Sequence, residues 1–94
     1  MINKKIRVAF DVDGTLIDIC QDVPKYDNIA LFKHFERLDC DMFIWSGGGI
    51  DYAQHWMNKL GLEATIINKE ESINFIDICF DDEVVNLAKI NIQV

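Results

Sequence analysis

Apolar positions along the chain alternate between two periods. Ile6 to Phe10 is a short, nearly unbroken apolar run, which predicts a strand covered on both faces. Leu16 to Lys25 has mixed polarity and contains the only proline, Pro24, so a loop or small hairpin is expected there. From Asn28 to Leu38, Ile29, Phe32 and Phe35 recur at helical spacing, with Leu31 and Leu38 on a neighbouring stripe. These predict an amphipathic helix with Asp27 as its N-cap. Met42 to Trp45 predicts a second strand. Ile50, Ala53, Met57 and Leu60 then mark a second helix, stopped by Gly61. Ala64 to Ile67 and Ile76 to Phe80 read as two further strands. Glu83 to Ile90 reads as two turns of helix, and Asn91 to Val94 as a final edge strand.

This order predicts one α/β domain over residues 1–94. The expected architecture is a Rossmann-like three-layer α/β sandwich around a mainly parallel central sheet of about five strands. Sheets of this kind bind ligands beyond the carboxyl ends of their strands. Those ends carry Asp11 and Asp13, then Ser46 with Gly47, Gly48 and Gly49, then Lys69 shortly after the third strand, then Asp81 and Asp82.

Composition narrows the candidate partners. Sixteen acids against nine bases give a net charge of −7, which disfavours nucleic acid and anionic membranes as general partners. No apolar run is long enough for a membrane span, and Asp11 interrupts the N-terminal run too early for a signal peptide. Cys20, Cys40 and Cys79 are odd in number and have no metal-ligand spacing. Reduced thiols and a cytoplasmic location are therefore expected.

Four carboxylates gathered at one sheet edge repel one another, and a divalent cation relieves that repulsion. An all-oxygen donor set without His or Cys points to Mg²⁺ rather than zinc. The remaining residues suit a phosphate. Gly14 allows a tight turn, and Thr15 offers a hydroxyl and an amide beside it. Ser46 and the glycines offer a hydroxyl and unobstructed N–H groups at a helix start. Lys69 offers a cation, with Lys59 as a rival. A carboxylate in such a setting can attack phosphorus, and a second one two residues on can exchange the leaving group's proton.

The ordered set "DVDGT" at 11–15, Ser46 in "FIWSGG", Lys69 in "INK" and the acidic pair in "ICFDDE" resembles the haloacid dehalogenase (HAD) superfamily of phosphotransferases. The resemblance spans Ile6 to Glu83. It implies a HAD-like core with Asp11 as nucleophile and Mg²⁺ ligand, and Asp13 as general acid/base that also binds Mg²⁺ through its backbone carbonyl. It also implies that Ser46 and Lys69 hold the phosphoryl group and that Asp81, assisted by Asp82, binds the metal. Neither 16–25 nor 46–69 leaves room for a cap domain, so a capless, near-minimal phosphatase is expected.

The favoured substrate is a small phosphometabolite, with a homo-oligomer whose neighbour supplies the lid as a further expectation. The alternatives are a phosphatase acting on a macromolecular end (a nucleic-acid 3′-phosphate or a phosphoprotein) and a degenerate metal- and phosphate-binding relative. His34 and His55 read as surface residues and Trp45 as sheet packing. Tyr52 and Trp56 are expected to line an open mouth or an oligomer interface.

Overall fold

The computed structural model describes residues 4–94. The chain begins with strand β1 (Arg7–Asp11), followed by a small antiparallel hairpin of β2 (Ile17–Asp18) and β3 (Val23–Pro24). Helix α1 (Tyr26–Arg37), strand β4 (Asp41–Trp45), helix α2 (Ile50–Leu60) and strand β5 (Thr65–Ile66) come next. A 3₁₀ turn (Lys69–Ser72), strand β6 (Ile78–Asp81) and strand β7 (Ile90–Gln93) complete the described chain. The main sheet has five strands in the order β5-β4-β1-β6-β7, and every pairing in it is parallel.

Alternation along the strands sorts the side chains onto two faces. Val8, Phe10, Met42, Ile44 and Phe80 point to the face covered by both helices, where they meet Ile29 and Phe32 of α1 and Ala53, Trp56 and Met57 of α2. Phe10 stacks on Phe80 with ring centroids 4.6 Å apart. The helical spacings i, i+3 and i, i+4 supply these residues, so burial of the apolar stripes accounts for both helices. Ala9, Phe43, Trp45 and Cys79 point to the opposite face, together with Ile76.

That second face departs from the expected sandwich. It is covered by Ile67, Phe75, Val85, Leu87 and Ala88, which lie in irregular segments beside the 3₁₀ turn, rather than by a helix. The helix expected over Glu83 to Ile90 does not form. The Asn91 side chain accepts from Leu87 N–H (2.8 Å) and Ala88 N–H (3.0 Å) and donates to the Ala88 carbonyl (2.8 Å). It thus captures backbone groups that a helix would pair internally. Lys89 and Ile90 N–H are drawn instead to the carbonyls of Ile76 and Asp77. The chain therefore enters β7 directly.

Other boundaries have local causes. Asp27 lies inside the first turn of α1 rather than at its cap, which is Lys25. Lys25 N–H donates to the Leu16 carbonyl and its own carbonyl receives Asn28 and Ile29 N–H, so the hairpin sets the helix start. Asp27 there complements the helix dipole. α2 ends on Gly61 at φ +69°, as expected for a left-handed C-cap. Among the described residues no helix is long and apolar enough to cross a membrane.

Candidate functional site

The register of the sheet brings the predicted residues level. Asp11 pairs with Trp45 at the ends of β1 and β4, and Asp81 ends β6 one residue beyond the Phe10–Phe80 pair. Asp11 follows Ala9, and Asp81 follows Cys79, on the irregularly covered face. The carboxylates of Asp11, Asp81 and Asp82 each place an oxygen within 4.8 Å of the others. Asp11 and Asp81 are buried and Asp82 is half-buried.

The 3₁₀ turn after β5 delivers Lys69 to this face. Its ammonium lies 3.3 Å from Asp81 Oδ2 and 3.8 Å from Asp11 Oδ1. The other candidate, Lys59, lies over the Trp56 ring, 4.9 Å from its centroid. Trp45 does more than pack the sheet, because its indole N–H donates to Asp81 Oδ2 at 3.3 Å. The Glu83 N–H donates to Asp81 Oδ1 at 3.0 Å, so both oxygens of this buried carboxylate are engaged. Burial pushes the Asp11 carboxyl up to about 8, the Asp81 charge adds to this, and Lys69 opposes it. Burial likewise raises Asp82. Burial works against the charge of Lys69, but Asp11 and Asp81 outweigh it and raise the ammonium.

This donor set fits a hard divalent cation. Its ligand atoms are carboxylate oxygens alone, two of the three acids are buried, and one lysine does not balance their charge. Asp11, Asp81 and Asp82 would hold Mg²⁺, with the Asp13 carbonyl nearby in sequence.

The turn after β1 is tightly bonded. The Val12 carbonyl receives N–H groups from Thr15, Leu16 and Ile17, and Gly14 N–H donates to the Ile17 carbonyl at 2.9 Å. Lys25 Nζ donates to the Gly14 carbonyl (2.9 Å) and Asn28 Nδ2 to the Thr15 carbonyl (2.8 Å). Gly14 has φ +77°, and a Cβ on it would clash with the Asp82 carboxylate. Its glycine therefore serves both the turn and the close approach of Asp82. The Thr15 amide, expected to face a phosphate, is committed within the turn, as is the amide of Gly14. Thr15 is fully buried, and its Oγ1 is, among the described residues, the buried side-chain polar atom without a hydrogen-bond partner.

Asp13 is half-buried and accepts a 2.6 Å hydrogen bond at Oδ1 from the Tyr52 hydroxyl of α2. Asp11, Asp13, Ile19, Gly47, Lys69, Asp82 and Glu83 line an open concavity of about 260 Å³. Ser46 stands beside it, its Oγ accepting the Gly48 N–H at 3.0 Å. Gly47 thus faces the concavity, whereas Gly48 packs against the Tyr52 ring.

One residue lies apart from its expected place: Trp56 is buried in the helix-side core rather than at a mouth or interface. Tyr52 is half-buried and bonds Asp13 of the concavity. The contributions of Tyr52, Trp45, Lys25 and Asn28 cross 11 to 39 positions of sequence and carry no motif, so only their polar tips on otherwise apolar or solvated segments could have hinted at them. His34 and His55 are exposed, as expected.

No family model, curated protein or solved structure matches the chain.

Proposed function

We propose that this chain is a capless member of the HAD superfamily and a Mg²⁺-dependent phosphatase acting through an aspartyl-phosphate on Asp11. Its fold on this reading is Rossmann-like, with the second helical layer reduced to the 3₁₀ turn and irregular segments. One observation carries the proposal. A buried Asp11 at the end of the central strand lies against Lys69 and two further carboxylates, while Asp13, two residues on, opens into the same concavity. A structural acid needs one partner, and a group of buried acids sharing one lysine needs another reason.

When bound, Mg²⁺ would neutralise the acids and the phosphate oxygens and keep Asp11 ionised at neutral pH. Lys69 holds Asp11 in place and offers a proton donor to a phosphoryl oxygen. The Ser46 hydroxyl, oriented by the Gly48 N–H, donates to another oxygen. Asp11 attacks phosphorus as the ester oxygen leaves, and Asp13 gives that oxygen a proton. Asp13 then takes a proton from the water that releases phosphate from Asp11.

The concavity is small and, among its described lining residues, the large apolar one is the exposed Ile19, which suits a small phosphometabolite. A homo-oligomer supplying the missing lid and a cytoplasmic setting with reduced thiols belong to the same proposal.

The test is hydrolysis of p-nitrophenyl phosphate with and without Mg²⁺. Metal-dependent turnover that falls at least about a thousandfold in Asp11→Asn is expected, and kcat that falls about a hundredfold in Asp13→Asn, because the release of phosphate from Asp11 loses its base. Undiminished activity in Asp11→Asn would overturn the mechanism. Tight Mg²⁺ binding without turnover would favour a degenerate relative.

A further inference from the structure

We propose that Tyr52 is the positioning residue that sets Asp13 for proton transfer, and that position 48 is glycine to seat the Tyr52 ring. The proposal rests on the phosphatase reading above. Tyr52 lies 39 positions from Asp13, on a different element, and reaches it with a 2.6 Å hydrogen bond. An ionised carboxylate only accepts, so the phenol donates. The ring leans on the helix-side core, which limits its alternatives.

Gly48 separates itself from its neighbours in this respect. A Cβ at Gly47 or Gly49 would meet nothing within 4 Å, whereas one at Gly48 would lie 2.8 Å from Tyr52 Cδ2 and 3.0 Å from Cγ. Side-chain atoms do not approach that closely, so a larger residue at 48 displaces the ring and its hydroxyl. The glycine run therefore divides its work: Gly47 faces the concavity, and Gly48 makes room for the group that holds Asp13.

The consequence is chemical. Tyr52 occupies Asp13 Oδ1 whether the carboxyl is ionised or protonated, which leaves Oδ2 to carry the exchanged proton. In ester cleavage the Oδ2–H bond breaks as the proton moves to the departing oxygen. In the second half, Oδ2 takes a proton from water as the water oxygen bonds phosphorus and the Asp11–phosphorus bond breaks. The phenol proton stays on Tyr52 throughout. Asp13 sits in a turn beyond the end of β1, and the Tyr52 hydroxyl is the side-chain partner that fixes its carboxylate there.

A leaving group that departs poorly needs the proton, and one that departs as a stable anion hardly does. The experiment compares kcat/KM on glycerol 2-phosphate and p-nitrophenyl phosphate. Tyr52→Phe keeps the ring and removes only the hydroxyl; it is expected to lose about tenfold on the alkyl ester and no more than about threefold on the aryl ester. Gly48→Ala should show the same division, and Tyr52→Phe should add nothing in an Asp13→Asn background. Equal losses on both esters, or none, would overturn the proposal. A wild type without Mg²⁺-dependent turnover would sink the phosphatase reading instead. In that event a thermal-unfolding cycle of Tyr52→Phe and Asp13→Asn still decides the contact, since coupled shifts support it and strictly additive shifts refute it.

Discussion

At the amino end of the sheet, Asp77 accepts the Arg7 N–H at 2.9 Å and meets Lys89 at 3.3 Å, while Lys5 lies 3.2 Å from Asp39 and 4.0 Å from Asp41. At the carboxyl end, Asp11, Asp81 and Asp82 crowd together around Lys69, with Asp11 and Asp81 buried. The same residue type thus works under opposite conditions along one sheet. Asp77 is held below the usual carboxylate range by the Arg7 N–H and Lys89. Asp11 is pushed far above it by burial and Asp81. At the amino end Asp77 has a lysine to itself, whereas at the carboxyl end Asp11 and Asp81 share a single lysine.

The sharpest way to test this contrast is Asp11→Asn in metal-free protein. Asp11 titrates near 8 when folded and near its ordinary value of about 3.9 when unfolded. Between those values the folded state holds the extra proton, so the stability it contributes is full below about pH 4 and lost as pH rises through 8. Wild type should therefore lose thermal stability over that window, and Asp11→Asn should lose much less. The variant's melting temperature at pH 8 should exceed that of wild type by several degrees, and added Mg²⁺ should narrow the gap. A wild type whose melting temperature is flat from pH 5 to 8 without metal would contradict the crowding argument.

Removing the one cation is the next largest change. Lys69→Met leaves the acids unpaired and should cost about 2 kcal/mol in urea unfolding at pH 8, less than for a fully buried pair because Lys69 remains 31% exposed. Mg²⁺ should recover part of the loss. At the opposite end, Asp77→Ala should cost about 1 kcal/mol at neutral pH, since it removes the acceptor for the Arg7 N–H. Its pH dependence has the opposite sign. A lowered folded value means that the contribution is fully present above the unfolded value of about 4 and is lost as pH falls from there through the lower folded value. Matching denaturation profiles of Asp77→Ala and wild type at pH 3 and divergence at pH 7 would establish it.

The smallest effect is expected at Thr15. Its buried hydroxyl lacks a partner, so Thr15→Val should change stability by less than about 0.5 kcal/mol, or raise it. A loss of 2 kcal/mol or more by chemical denaturation would mean that the hydroxyl has a partner and the carboxyl end is less frustrated than it looks.

Much of this could be read along the chain. The runs around Val8, Met42 and Ile78 and the stripes of Ile29–Phe32 and Ala53–Met57 depend on local period, and local period survives folding. Asp11, Asp81 and Asp82 could be placed together because Asp11 and Asp81 end strands of one parallel sheet and Asp82 directly follows. The helix expected after Glu83 failed for a reason beyond any periodicity, namely that the Asn91 side chain takes the backbone groups of 87 and 88. Asp27 lost its capping role because the hairpin anchors Lys25.

The sequence by itself determined which residues end the strands, and so which acids share an edge, because a strand's alternation and length are properties of the chain. Tertiary structure alone decided how those acids are held. Lys69 rather than Lys59 meets them because the segment after β5 crosses the face that lacks a helix, while Lys59 lies over Trp56 on the other. Tyr52 meets Asp13 because α2 packs on the helix-covered face with Gly48 beneath its ring. Such contacts join residues far apart in sequence, and only the packing of layers sets their distances.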